Sequence, residues 1–210
     1  MTILGKLDNP GVRSFGPNID SRNPKAAMTK VMQIHEHGGP EVLSWDDAPL
    51  PGPGPGEALI RHTAIGFNFV DTYHRTGQFG HKVTFPLVLG SQGVGVIEGL
   101  GEGVEDLKTG DKVTYANLLG SYAEARIVPA DRMVVLPGDI SDELAAAAYL
   151  RTLTAQYLLT RLYPVEPGET ILVHAAAGGT GASLTSVVQG KRVGLGVPRV
   201  LTTRDRTTKP

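Results

Sequence analysis

The chain has 210 residues with 20 basic and 21 acidic side chains, a formal net charge of −1. No overall field therefore draws it to nucleic acid or an anionic membrane surface. It has no cysteine, which excludes disulfides and thiolate-ligated metal sites and fits a reducing, cytoplasmic setting. Glycine (27) and proline (15) form a fifth of the chain, a share that favours short strands and many turns over a helical bundle.

Residues 1–27, MTILGKLDNPGVRSFGPNIDSRNPKAA, are polar and broken by Pro10, Pro17 and Pro24. They read as a flexible extension, with Met28 as an alternative start. Neither a basic leader followed by an apolar stretch nor an apolar run of about 18 residues is present, so no signal peptide or membrane span is predicted. KVMQIHEHGG (Lys30–Gly39) and EALIRHTAIGF (Glu57–Phe67) predict strands. The connector PLPGPGPGE between them alternates proline and glycine and must be an extended, turn-rich loop. Leu87–Gly101 places β-branched Val94, Val96 and Ile97 among glycines that permit bulges. Lys108–Ala116 is a turn feeding a strand, and Tyr122–Pro137 supplies two more short strands. Short strands closed by Gly/Pro turns suggest a barrel-like β unit.

The period changes at Ser141, an N-cap serine followed by acids that suit the positive end of a helix. Leu150, Leu153, Tyr157, Leu158 and Leu162 then follow helical spacing and predict an amphipathic helix, ended by Pro164 and Pro167–Glu169. TILVHAAA (Thr170–Ala177) is a continuous apolar run, as expected of a strand buried on both faces of a parallel sheet. A β-rich part thus precedes an α/β part, with the boundary near residue 150.

Gly178, Gly179 and Gly181 follow that strand. Glycines there let backbone N–H groups approach a pyrophosphate, and the next helix adds its positive N-terminus. The strict G-x-G-x-x-G is absent, since Leu184 stands three residues after Gly181. Taken alone, the pattern is equally a tight βα turn with no ligand. Downstream, Gly190, Gly194, Gly196 and Pro198 break any helix, and no acid stands near position 201 to meet a ribose. Lys191, Arg192, Arg199, Arg204, Arg206 and Lys209 face one acid, Asp205, so residues 189–210 read as an irregular basic tail. A 2′-phosphate pocket built from these arginines is the other reading.

HGGPEVL (37–43), AIGFNFVDTYHRTG (64–77), KTGDKV (108–113), AAAAYLRTLTAQYLL (145–159) and VHAAAGGTG (173–181) occur together and in this order. Over about Met28 to Ser183, three quarters of the chain, the sequence resembles the zinc-independent quinone oxidoreductases (ζ-crystallin-like) of the medium-chain dehydrogenase/reductase superfamily. The resemblance implies an α/β protein with a β-rich part: a GroES-like β-barrel domain over 28–150, then a Rossmann-type NAD(P)-binding domain of which 151–188 is only the start. It implies an active site in the cleft between the two and hydride transfer from NADPH to a quinone or other small electron-poor acceptor.

By the same resemblance, Asn68 and Tyr73 stand where the family lines its nicotinamide and acceptor pocket, and these are the expected catalytic residues. Asn117 takes the place of a cleft amide, Arg151 and Thr154 lie on the helix bordering the cofactor, and Gly178, Gly179 and Gly181 match the pyrophosphate turn. Phe79 sits where many members carry a second tyrosine, so a pocket hydroxyl is lost. His35 and His37 would share one strand face, but no cysteine or carboxylate cluster completes a ligand set. Zinc-dependent relatives have Gly-His-Glu where this chain has Gly90-Ser91-Gln92, and no metal is expected.

The region expected to grip the 2′-phosphate, the returning segment that completes the barrel domain, and the usual Rossmann-domain homodimer interface all fall outside the matched stretch. The expectation is therefore a truncated NADPH:quinone oxidoreductase in which TILVHAAA lacks a sheet and NADPH binding fails. The alternatives are a reductase that recovers the missing part from another chain, a non-enzymatic GroES-like interaction module, and a zinc-free alcohol dehydrogenase or enoyl reductase relative.

Overall fold

The first strand, β1 (Ala27–Ile34), turns Thr29, Val31 and Gln33 inward in strict alternation. A computed structural model describes residues 27–78, 80, 83–166, 169–190 and 199–202. β2 (Ser44–Leu50) runs antiparallel to β1, pairing Gln33 with Ser44 at one end and Ala27 with Leu50 at the other. Lys30 Nζ meets Asp47 Oδ2 across this pair at 2.8 Å. The short β4 (Leu87–Val88) lies on the other side of β1.

A second sheet joins β3 (Glu57–Ile65), β5 (Gln92–Leu100), β6 (Lys112–Ala116), β7 (Ala125–Pro129) and β8 (Val134–Val135) in the order β7-β3-β5-β6-β8. All its pairings are antiparallel, and the β3–β5 register shifts at Leu59/Ile60 and at His62/Ala64. Such bulges increase the local twist of a sheet that must curl. Ile60, Ile97, Val113, Tyr115 and Val128 are fully buried beneath it. Main-chain bonds from Met32 N–H to Tyr122 O (2.7 Å) and from Glu124 N–H to Lys30 O (2.9 Å) tie the two sheets together. Helix α1 (Phe69–Thr76) leaves the end of β3.

Helix α2 (Asp142–Tyr157) continues into a π-helical turn, Leu158–Leu162. Its first turn is capped by Ser141, whose Oγ accepts the Leu144 N–H at 3.2 Å. Then follow β9 (Thr170–Val173), α3 (Gly179–Gly190) and β10 (Arg199–Thr202). The chain divides into two compact units, Met1–Ala146 and Ala147–Pro210. In the second, β9 and β10 pair in parallel from Thr170 with Arg199 to Val173 with Thr202. Leu159, Val165 and Val188 form its buried cluster, with Ile171, Leu184 and Val187 against them.

Several expectations are corrected. The strand expected to reach Gly39 ends at Ile34, so His35 and His37 lie beyond it and share no strand face. His35 Nε2 faces Asp46 Oδ2 at 3.4 Å, whereas His37 Nδ1 bonds Arg75 O at 3.2 Å and its ring meets Phe85 edge-on. The sequence does not predict β2 or α1, because Asp46, Asp47 and Pro49 obscure alternation in the one and the other is only eight residues long.

Along α2 and the π-helical turn, Leu153, Tyr157 and Leu162 of the expected apolar stripe are exposed, while Ala145, Ala146, Ala155 and Leu159 are buried. Small side chains set the packed face there, and leucine spacing pointed to the wrong one. The strand from Thr170 stops at Val173, and it is buried on one face only, with Leu172 49% exposed. It also does not lack a partner. Arg199–Thr202 forms a parallel strand beside it, within the stretch expected to be an irregular tail. Phe79, residues 1–26 and the basic positions 191, 192, 204, 206 and 209 lie outside the described residues.

Candidate functional site

Asn68 is the N-cap of α1, with extended backbone angles, and its N–H donates to Asp71 Oδ2 at 2.8 Å, so the third helical residue reaches back to secure the cap. Asp71 is 2% exposed and its carboxylate is fully engaged. Ser91 Oγ–H donates to Oδ1 at 2.5 Å, and the Tyr122 hydroxyl donates to Oδ2 at 3.0 Å. Burial raises the Tyr122 pKa above its ordinary value, and the neighbouring Asp71 charge adds to the effect. That hydroxyl therefore stays protonated, as a donor to the carboxylate.

Asn68 Nδ2 donates to Gln92 Oε1 at 3.2 Å and to Gly66 O at 3.4 Å. Gln92 is almost completely buried, and its Nε2 donates to Ala145 O (3.2 Å) and Ala146 O (2.9 Å) in α2. Gly66 is required by this close approach, since a Cβ there would stand 2.5 Å from Gln92 Oε1 and 2.6 Å from Ala146 O. Around the Asn68 cap, α1 presents apolar rings to its surface. Phe69 is 77% exposed, and Phe67 and Tyr73 are exposed to a lesser degree. Asn117 follows β6 at an exposed position with φ 59°, a left-handed conformation that asparagine tolerates better than most residues.

A second buried network in this unit centres on His62. Its Nδ1 faces Ala123 O at 2.6 Å and its Nε2 faces the Tyr115 hydroxyl at 2.8 Å. Arg126 Nη1 lies 3.5 Å from that hydroxyl and donates to Leu118 O at 3.1 Å. Burial pushes the His62 pKa down to about 4 and the Tyr115 pKa up to about 12. The ring is neutral and the phenol protonated at any ordinary pH. Among the described residues, no group of three or more His, Asp or Glu side chains is placed to hold a metal ion.

In the second unit, β9 runs into a turn over His174–Gly178, where Ala175 adopts φ 50° and its carbonyl accepts the Gly178 N–H at 2.8 Å. α3 begins at Gly179. A Cβ on Gly181 would collide with Ala175 O and stand 2.7 Å from Ala176 Cα, so the first turn of α3 packs directly on the main chain of the loop. Arg151 lies over the start of the helix, with its Cδ and Nε 2.7 Å from where a Gly179 Cβ would be. The Thr154 hydroxyl bonds back to Leu150 O at 2.9 Å. A strand, a glycine-lined turn without side-chain bulk, a helix N-terminus and an arginine beside it fit a dinucleotide pyrophosphate.

Of the expected residues, Asn68, Tyr73 and Asn117 lie in the first unit, and Arg151, Thr154, Gly178, Gly179 and Gly181 in the second. Asp71, Gln92, Tyr122, His62 and Tyr115 were not singled out for a role. A signal was present for Gln92, a large polar residue ahead of the apolar run of β5.

An antiparallel β unit is thus followed by a parallel strand pair with a glycine turn and a helix, the elements of a nucleotide-dependent oxidoreductase. Residues 54–138 match the alcohol dehydrogenase GroES-like domain family. The chain is 46% identical over 155 residues to a quinone oxidoreductase of Pseudomonas aeruginosa, covering 73% of this chain and 47% of that protein. It is 41% identical over 160 residues to a 2-haloacrylate reductase of a Burkholderia species, covering 73% and 48% respectively. The structure of Escherichia coli quinone oxidoreductase complexed with NADPH superposes with a TM-score of 0.76 at 35% identity, covering 84% of this chain and 59% of that one. Residues 54–138 are thus of the alcohol dehydrogenase GroES-like domain family, over about three quarters of its length the chain is similar to quinone oxidoreductases, and it spans about half the length of the curated relatives it matches.

Proposed function

We propose that this chain serves an NADPH-dependent reduction of a quinone or an electron-poor alkene. The observation that carries the reading is the turn between β9 and α3. Its glycines put no side chain of their own over the main chain of the turn or the start of α3, and Arg151 lies beside Gly179. The pairing of β10 with β9 supports the same reading, because it supplies a βαβ unit where the sequence suggested an unsupported strand.

Bound NADPH would supply a hydride, and the residues of the chain would bind, orient and exclude water. Gly178, Gly179, Gly181 and Arg151 would hold the pyrophosphate. Thr154, whose oxygen keeps acceptor capacity beyond its bond to Leu150 O, would bind the cofactor in the second unit, and Asn117 is the cofactor-binding candidate of the first. Asn68 and Tyr73 would position the acceptor carbonyl beside the apolar rings of Phe67 and Phe69. A quinone needs no strong protein acid, since the hydroquinone anion can take its proton from water.

Titration of the full chain with NADPH, followed by nicotinamide fluorescence, tests the proposal. Saturable enhancement or quenching is expected, followed by loss of absorbance at the NADPH band when 1,4-naphthoquinone is added. A chain that leaves NADPH fluorescence unchanged would refute it.

A further inference from the structure

Helix α1 reverses the usual order of inside and outside. Its one buried residue is a carboxylate, Asp71, while its largest apolar side chain, Phe69, is 77% exposed. Asp71 accepts the Asn68 N–H, the Ser91 hydroxyl and the Tyr122 hydroxyl, and these three bonds fix the rotation of the helix about its axis. Phe69 and Tyr73, four residues apart, lie on one face, and Asp71 lies across the axis from it. The buried polar network thus holds an aromatic face outward. Tyr73 is 40% exposed, and Phe67, just ahead of the cap, adds a third ring at 39%. An exposed cluster of this kind, rimmed by polar groups, marks a binding surface.

Its area and its electrostatics define the occupant. At the roughly 150–250 Å² that an aromatic residue can bury, the exposed fractions of the three rings amount to about 300 Å². That suits one small molecule and falls well short of the roughly 800 Å² each partner contributes to a stable protein interface. An aromatic side chain is negative over its ring face. The two carbonyls of a quinone draw electrons out of its ring, so its face is positive, and stacking sets opposite partial charges against each other. An open-chain alkene has no ring face to offer. A hydroquinone, formed when the quinone gains a hydride and a proton, has an electron-rich ring and is held less tightly.

We propose that the Phe69–Tyr73 face of α1 is the surface on which the acceptor ring stacks, and that Phe69 is a specificity-determining residue selecting planar, electron-poor rings. The inference rests on the acceptor site proposed above and narrows its substrate class to ring quinones over acyclic alkenes.

The test is equilibrium dialysis of the full chain, without NADPH, against two flat two-ring ligands of similar size. One is 1,4-naphthoquinone, and the other is 1,4-dimethoxynaphthalene, whose ring is electron-rich. Wild type should bind the quinone more tightly than the ether. Phe69→Leu keeps apolar bulk and removes the ring at an exposed position. It should weaken quinone binding about three- to tenfold and ether binding by less than about twofold, the range expected of one aromatic stacking contact. Phe69→Trp, with a larger ring face, should restore quinone binding to at least the wild-type level. Equal losses for the two ligands would reveal an apolar patch with no ring selectivity and overturn the proposal. So would unchanged quinone affinity in Phe69→Leu, or a wild-type chain that binds neither ligand. A Phe69→Leu chain that sediments as a smaller species than the wild type would also overturn it, by assigning the face to a second copy. Naphthoquinone bound with the expected pattern but not reduced by NADPH would refute the reductase reading and leave the stacking surface standing.

Discussion

His62 shows how a single buried side chain couples this fold to pH. The Ala123 carbonyl can only accept, so Nδ1 carries the ring proton and Nε2 accepts from Tyr115. Protonating Nε2 would set a second donor against the Tyr115 hydroxyl and a positive ring near Arg126, the charged group facing this network from β7. The folded pKa of about 4 lies below the ordinary 6.5, mainly through burial. The unfolded chain therefore binds more protons between these values, and stability that is complete above about pH 6.5 drains away as pH falls toward 4. At about 1.4 kcal/mol per unit, the loss is on the order of 3 kcal/mol. Urea midpoints at pH 7.5 and 4.5 should fall apart for the wild type and converge for His62→Gln; equal wild-type midpoints would contradict this account. Tyr73 offers a second test at this scale. If it only positions the acceptor, Tyr73→Phe should slow steady-state reduction of naphthoquinone by less than about tenfold. A loss beyond about 10²-fold would mean that the hydroxyl is a general acid.

At the level of elements, the turn between β9 and α3 is tightly constrained by the close approach of Gly181 to the main chain of Ala175 and Ala176. Gly181→Ala must push the helix start away from the Ala175 carbonyl, an overpacking expected to cost about 1–3 kcal/mol. The variant should lose the NADPH fluorescence change while keeping the far-ultraviolet dichroism of its β-rich part; unaltered NADPH binding would show that the turn is not the pyrophosphate cradle. This element was legible in the sequence because its requirement is local. Glycines after an apolar run are visible one residue at a time, and so is Ser141 ahead of two acids. α1 and β2 were not legible. The helix is short and is held by Asp71, which accepts from Ser91 just ahead of β5 and from Tyr122 in the loop before β7, and β2 gains its place through its register with β1.

Across the whole chain, the two units differ in how much sheet covers each strand. β3 and β5 have neighbours on both sides within a five-stranded sheet, whereas among the described residues β9 pairs with β10 alone and exposes Leu172. The buried cluster against this pair is small, with Leu159, Val165 and Val188 at its centre, and a two-stranded pair depends on such packing for its stability. Native-state amide exchange should therefore find the slowest protons in β3, β5 and β6, with β9 protons exchanging at least about 10²-fold faster. Equal protection in β9 and β5 would show that the second unit is as stable as the first. No helix among the described residues is long and apolar enough to cross a membrane.

The sequence by itself determined the order of the main strands, the glycine turn and the capped start of α2, because each depends on residues adjacent along the chain. Only the tertiary structure decided that alanines rather than leucines pack beneath α2, that Arg199–Thr202 returns beside Thr170–Val173, and that Gln92 faces Asn68. Gln92 alone meets partners 24, 53 and 54 positions away in sequence, and β10 pairs with a strand 29 positions before it. A hydrogen bond or a packed methyl group has no energy until the second partner arrives, and the pattern of one segment cannot report which partner that will be.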